Sequence, residues 1–115
     1  MDLNVKNEKR DIVLINFPFT DFSSYKIRPV LIISNNKYNL SSEDIIVCGI
    51  SSKQKYSIWN IAITSKDLES GNLNEESIIK VDRIIKISKK IIIKKIGKLK
   101  ENKFEEIKEK LKLLF

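Results

Sequence analysis

Histidine is absent from this chain, and cysteine and tryptophan occur once each. Without an imidazole there can be no Ser-His-Asp triad, no histidine acid or base and none of the usual zinc sites. Any catalysis must use Arg, Lys, Asp, Glu, Ser, Thr or Tyr. The aspartates Asp11, Asp21, Asp44, Asp67 and Asp82 lack the tight acidic spacing of a carboxylate-bound magnesium site, so no metal or other cofactor is expected. The lone thiol, Cys48, can form no internal disulfide, and inside the apolar run from Ile45 to Ile50 it reads as a small core residue. No run approaches the roughly 18 consecutive apolar residues of a membrane helix. Residues 1–9 lack the apolar centre of a signal peptide, so the chain is expected in the cytoplasm with no membrane contact. Those nine residues read as a flexible polar arm, and residues 10–115 as a single domain.

Charge is plentiful and uneven. The formal net charge is +7, yet the segment from Ile78 to Lys100 alone carries +8, with Lys80, Arg83, Lys86, Lys89, Lys90, Lys94, Lys95, Lys98 and Lys100 set against Asp82. The rest of the chain is therefore close to neutral at −1. Lysine runs are ordinarily solvated surface, but a uniform bias toward lysine would not leave the remainder neutral, so a basic face for an anionic polymer is expected.

The stretch from Arg10 to Ser34 organises the chain. Asp11 to Phe17 and Val30 to Ser34 are runs of β-branched and aromatic residues of strand length, separated by a polar loop bounded by Pro18 and Pro29. Each proline pushes the preceding residue toward extended backbone, which holds Phe17 and Arg28 at strand margins. Arg28 is thus a stiffly presented cation beside a loop carrying Phe19, Thr20, Phe22, Ser23, Ser24 and Tyr25. Such a guanidinium could clamp a phosphate next to surfaces on which bases stack; the plainer alternative is a surface arginine beside an apolar loop.

Further strands are expected at Ile45 to Ile50, apolar on both faces and so central, at Ser57 to Thr64, at Ser77 to Ser88 as one or two strands, and at Ile91 to Gly97. In the Ser57 to Thr64 run, Trp59, Ile61 and Ile63 share a face, and Trp59 reads as a core or dimer-contact residue. Between strands, Asn35 to Asp44 is a polar connection with room for a helical turn around Tyr38, Ser65 to Glu69 reads as a capped turn, and Gly71 suits a positive φ. A period of two places Lys80 and Asp82 on one face. From Glu101, Phe104, Ile107, Leu111 and Leu114 form an amphipathic helical stripe, with Glu106 four residues before Lys110 and no good N-cap. Strands without alternating helices predict a mostly β, antiparallel small barrel with a C-terminal helix.

The run Asp-Ile-Val-Leu-Ile-Asn-Phe-Pro-Phe-Thr-Asp-Phe-Ser from Asp11, then Lys26-Ile27-Arg28-Pro29 leading into Val30 to Ser34, resembles the PemK/MazF family of toxin ribonucleases. The Gly97-Lys98-Leu99 signature before the terminal helix is similar to the PemK-like branch, and the likeness runs from residue 10 to the end. One departure is Arg10, where the family usually has glycine. The resemblance implies an SH3-like small barrel of the MazF, PemK and CcdB toxin type, commonly a homodimer, acting on single-stranded RNA and restrained by a cognate antitoxin protein.

It further implies a site. The residue ending the third strand, here Ser51, works with the arginine of the Arg-Pro pair, Arg28, as the catalytic couple. Lys80 and Asp82 are further catalytic candidates, because a branch of the family assigns chemistry to a basic and an acidic residue at this spacing; otherwise they are a surface ion pair. RNA would be held by Phe19, Thr20, Ser23, Ser24, Tyr25 and Lys26 of the first loop, by Ser52, Lys53, Lys55 and Tyr56, and by Arg83. The implied chemistry is metal-independent attack of a 2′-hydroxyl on the adjacent phosphate. Two alternatives use the same barrel: a toxin that binds DNA gyrase, and an inactive RNA-binding barrel.

Overall fold

The computed structural model describes residues 7–18, 25–52 and 57–115. The expectations for Phe19, Thr20, Ser23, Ser24, Lys53, Lys55 and Tyr56, and for most of the N-terminal arm, lie outside those residues, as does the side chain of Tyr25.

Seven strands form one antiparallel sheet: β1 (Asp11–Pro18), β2 (Tyr25–Ile32), β3 (Asp44–Ser51), β4 (Asn60–Ile63), β5 (Leu68–Gly71), β6 (Ser77–Ser88) and β7 (Ile92–Leu99). Their order is β4-β6-β3-β2-β1-β7-β5, curled into a half-barrel. A short helix, α1 (Asn36–Ser41), precedes β3, and a longer one, α2 (Glu101–Leu114), closes the chain. The β3 strand is interior to the sheet and paired on both sides, as its apolar sequence demands.

Because side chains alternate, the sheet carries two apolar faces. On one, Ile12, Leu31, Cys48, Ile50, Ile61, Ile79, Val81 and Leu99 pack with Phe104 and Ile107 of α2. On the other, Val13, Ile15, Val30, Ile32, Ile45, Val47 and Ile87 form a second cluster. Cys48 is fully buried in the first, its Sγ 3.5 Å from the Val81 carbonyl oxygen. Burial, with a smaller contribution from the Asp82 carboxylate, pushes its thiol pKa up to about 12.

Several expectations are corrected. The second strand starts at Tyr25, five residues before Val30, because its pairing with β1 continues to Pro18↔Tyr25. β4 is shorter than Ser57 to Thr64 and Trp59 lies in the turn before it, half-buried, while Ile61 and Ile63 do face the core. Leu68–Gly71 is a strand, β5, that its polar, exposed residues did not signal. The turn before it is capped by Thr64 rather than Ser65, with Asp67 completing a capping box. In helix α2, whose N-cap Lys100 makes no side-chain cap as expected, Glu106 pairs with Lys103 at 3.3 Å rather than with Lys110.

Arg10 has φ +79°, the left-handed region in which a side chain costs about 1 kcal/mol. The arginine offsets this through its tail: Nη1 donates to the Leu99 carbonyl at 2.9 Å and lies 3.3 Å from Glu69. Next to it, Asp11 is buried at 1% exposure, accepting from the Glu8 amide at 3.0 Å and facing Lys95 and Lys98 at 3.1 and 3.5 Å. Its Oδ1 lacks aligned hydrogen bonds, so its pairing with the two lysines is coulombic.

Candidate functional site

The site begins where a ladder stops. β2 and β3 pair at Ile32↔Val47, Leu31↔Cys48 and Val30↔Gly49, and the next β2 residue is Pro29. Proline has no N–H to give a ladder, so pairing ends and the strands part. On the other edge, Pro29 stays aligned with Leu14 of β1, which keeps Arg28 in extended backbone opposite Ile15. Arg28 stands two residues before Val30 and Ser51 two residues after Gly49, the last pair of that ladder. Both therefore share a face at the mouth of the gap, with Val30, Gly49 and Lys80, because Gly49 is also the register partner of Lys80.

An inner cleft occupies this gap, lined by Ile15, Phe17, Arg28, Pro29, Val30, Gly49, Ile50, Ser51, Lys80, Arg83 and Ile85. It opens into a groove of about 950 Å³ that adds Lys26, Ser52, Lys94, Lys95 and the loop after β5 from Gly71 to Glu75. Among the described residues the groove thus carries Lys26, Arg28, Lys80, Arg83, Lys94 and Lys95 against Glu75. Among the described residues, none of these cations except Lys95 makes an ion pair. Among the described residues no carboxylate lines the inner cleft. Its potential is therefore positive, and a polyanion is the ligand it attracts.

Of the site residues read from the sequence, Lys26, Arg28, Ser51, Ser52, Lys80 and Arg83 line this groove. Asp82, expected on the face of Lys80, is not among the residues that line it. The partner of β3 jumps from Ile84 at Cys48 to Lys80 at Gly49, so Val81, Asp82 and Arg83 are inserted in β6 as a three-residue bulge. Ile79 and Val81 both alternate into the core, but beyond Val81 it is Arg83, not Asp82, that lines the cleft with Lys80. Lys94, Lys95 and the Gly71 to Glu75 loop were missed. β7 slips register against β1 on either side of the two lysines, and both line the groove although they are adjacent in sequence; only the lysine-rich composition of the segment hinted at them.

Among the described residues no group of three His, Cys, Asp or Glu side chains could hold a metal ion. No described helix is long and apolar enough to cross a membrane.

The family described as PemK-like, MazF-like toxin of type II toxin-antitoxin systems matches residues 8–115. No curated protein matches the chain. Among solved structures, the MazE-MazF complex of Deinococcus radiodurans in its second crystal form is 17% identical with TM-score 0.79, covering 96% of each chain. A mycobacterial endoribonuclease in complex with its cognate antitoxin is 16% identical with TM-score 0.75, covering 93% of this chain and 92% of that one. The Mycobacterium tuberculosis toxin MazF-mt6 is 20% identical with TM-score 0.72, covering 89% of this chain and 92% of its own. At these identities the likeness establishes a shared fold.

Proposed function

This chain belongs to the PemK-like, MazF-like toxin family of type II toxin-antitoxin systems, and from that premise we propose that it is a metal-independent endoribonuclease cutting single-stranded RNA. The observation that carries this reading is that Arg28 and Ser51 line one cleft within a cationic groove.

The reaction is transesterification. A ribose 2′-hydroxyl attacks the adjacent phosphorus, the 5′-oxygen departs, and the products are a 2′,3′-cyclic phosphate and a 5′-hydroxyl. Negative charge accumulates on the phosphorane oxygens, where the Arg28 guanidinium can donate two parallel hydrogen bonds, with Lys80 as an added cation. The departing alkoxide is basic enough to take a proton even from a guanidinium, so Arg28 assists that step as well. Ser51 accepts the 2′-proton in passing and hands its own to a non-bridging phosphate oxygen, a relay that needs position rather than basicity. With Asp82 in the bulge, the base role it was a candidate for falls to this relay.

The substrate strand enters along Lys26, Lys94 and Lys95. The protein acts in the cytoplasm as a homodimer, and an acidic segment of a cognate antitoxin covers the groove by competing for the same cations. Sequencing of 5′-hydroxyl RNA ends made by the purified protein in excess EDTA tests the reading. Discrete new ends are expected. DNA damage on expression without new RNA ends would move the chain to the gyrase-binding class, and RNA binding without ends would make it an inactive barrel.

A further inference from the structure

Arg83 reaches the groove by an unusual route. It stands at the end of the bulge in β6, and its side chain crosses β3 over Gly49, where a Cβ would lie 3.0 Å from Arg83 Cδ and 3.7 Å from Nε. The missing side chain at position 49 is therefore the track in which the arginine stem lies. Gly49 is the register partner of both Val30 on β2 and Lys80 on β6, so the track runs across the groove face between the strand of Arg28 and that of Lys80. A stem confined in this way gives up less freedom on gripping a ligand than one waving in solvent. The Arg28 and Arg83 guanidiniums line one cleft in which no described carboxylate stands, and an anionic ligand relieves their mutual repulsion.

We propose that Gly49 and Arg83 form one positioning device, which holds the phosphate next along the strand from the phosphate under Arg28. The proposal rests on the reading of the groove as an RNA site and adds a residue pair that acts on binding rather than on the reacting bond. Arg28, in one cleft with Ser51, takes the reacting phosphate. Arg83, arriving from the far side of β3, reaches its neighbour.

The test measures binding and cleavage separately. Binding is followed with a fluorescent single-stranded RNA oligonucleotide carrying 2′-deoxyribose at every position that the wild-type protein cuts, or at alternate positions if it cuts none. Arg83→Ala is expected to weaken binding about tenfold and to lower the slope of log affinity against log salt by about 1. On the cleavable oligonucleotide, KM should rise with kcat changed less than threefold. Gly49→Ala should weaken binding to a similar extent while its melting temperature stays within about 2 °C of wild type, since the clash falls on the flexible Arg83 stem. In the Arg83→Ala background, Gly49→Ala should have no further effect.

An unchanged salt slope in Arg83→Ala, including one accompanied by a new cleavage preference, overturns the phosphate assignment. Equal losses from Gly49→Ala with and without Arg83 overturn the device. If wild-type protein binds the oligonucleotide without cutting any RNA, the nuclease reading fails while the binding arms still decide the device. If it binds no RNA, both fall together.

Discussion

At the scale of the residue, the site turns on which side chains a single backbone feature admits. Arg28 is exposed and packs no core, so Arg28→Ala should leave circular dichroism and melting temperature unchanged while lowering cleavage by about 100-fold or more and ending growth inhibition on expression. Full cleavage by that variant would remove Arg28 from the chemistry. Lys80→Ala should cost more activity than Asp82→Ala, because only Lys80 lines the cleft. Cys48 gives the pH prediction. Its folded pKa, pushed up to about 12, lies above the unfolded value of 9.0, so above pH 9 the unfolded chain releases a proton that the folded chain keeps. Stability then falls as pH rises from 9 toward 12, by at most about 1.4 kcal/mol per pH unit from this group. Urea unfolding of wild type and Cys48→Ala across that range measures it; the thiol's share of the alkaline loss should vanish in the variant. The sequence showed a thiol in an apolar run and so foretold the burial, whereas the contribution of Asp82 to its pKa comes from the bulge that folding creates.

At the scale of the element, two positions on the β1 and β5 side of the sheet carry unusual backbone. Arg10 enters β1 at φ +79° and is held by Leu99 and Glu69. Arg10→Gly and Arg10→Ala lose the same tail contacts and differ in backbone, so the glycine variant should be the more stable by about 1 kcal/mol in denaturant unfolding. Equal stabilities would mean that the positive φ relaxes without cost. At the end of β5, Gly71 has φ +84°, and a Cβ there would lie 2.1 Å from the Ile96 carbonyl oxygen of β7. Gly71→Ala should destabilise the protein by about 2 to 4 kcal/mol, the combined cost of strain and of backbone that cannot move aside. A smaller loss would mean that β5 peels from β7 freely. Glycine itself marked position 71 for a positive φ; at Arg10 nothing in the side chain advertises that conformation, and the one signal was the glycine that the resembling family usually has there.

At the scale of the whole molecule, charge and topology combine. Lys80 and Arg83 on β6, Lys94 and Lys95 on β7, and Lys26 and Arg28 on β2 meet in one groove only because the sheet curls. With Lys95 held by Asp11, about five cations remain for a strand, so single-stranded RNA affinity should fall with salt at a log-log slope of about −3 to −4. Fluorescence anisotropy between low and moderate salt reads this, and a slope near zero would exclude a backbone-tracking groove. Much of this was legible beforehand. β-branched runs and a helical stripe prescribed strands and a terminal helix, because a period of two or of 3.6 leaves one face to bury wherever the chain goes. The Arg28-Pro29 pair foretold an extended cation for the same local reason, since a proline constrains its neighbour without help from the rest of the fold. What lay beyond the sequence were facts of pairing. That Ser51 and Arg28 line one cleft depends on the β2/β3 register, and that Arg83 lines it where Asp82 does not depends on three residues inserted in β6 against β3. Register and bulges are settled between strands far apart in the chain, by which alignment buries both apolar faces at once, and no local pattern carries that choice.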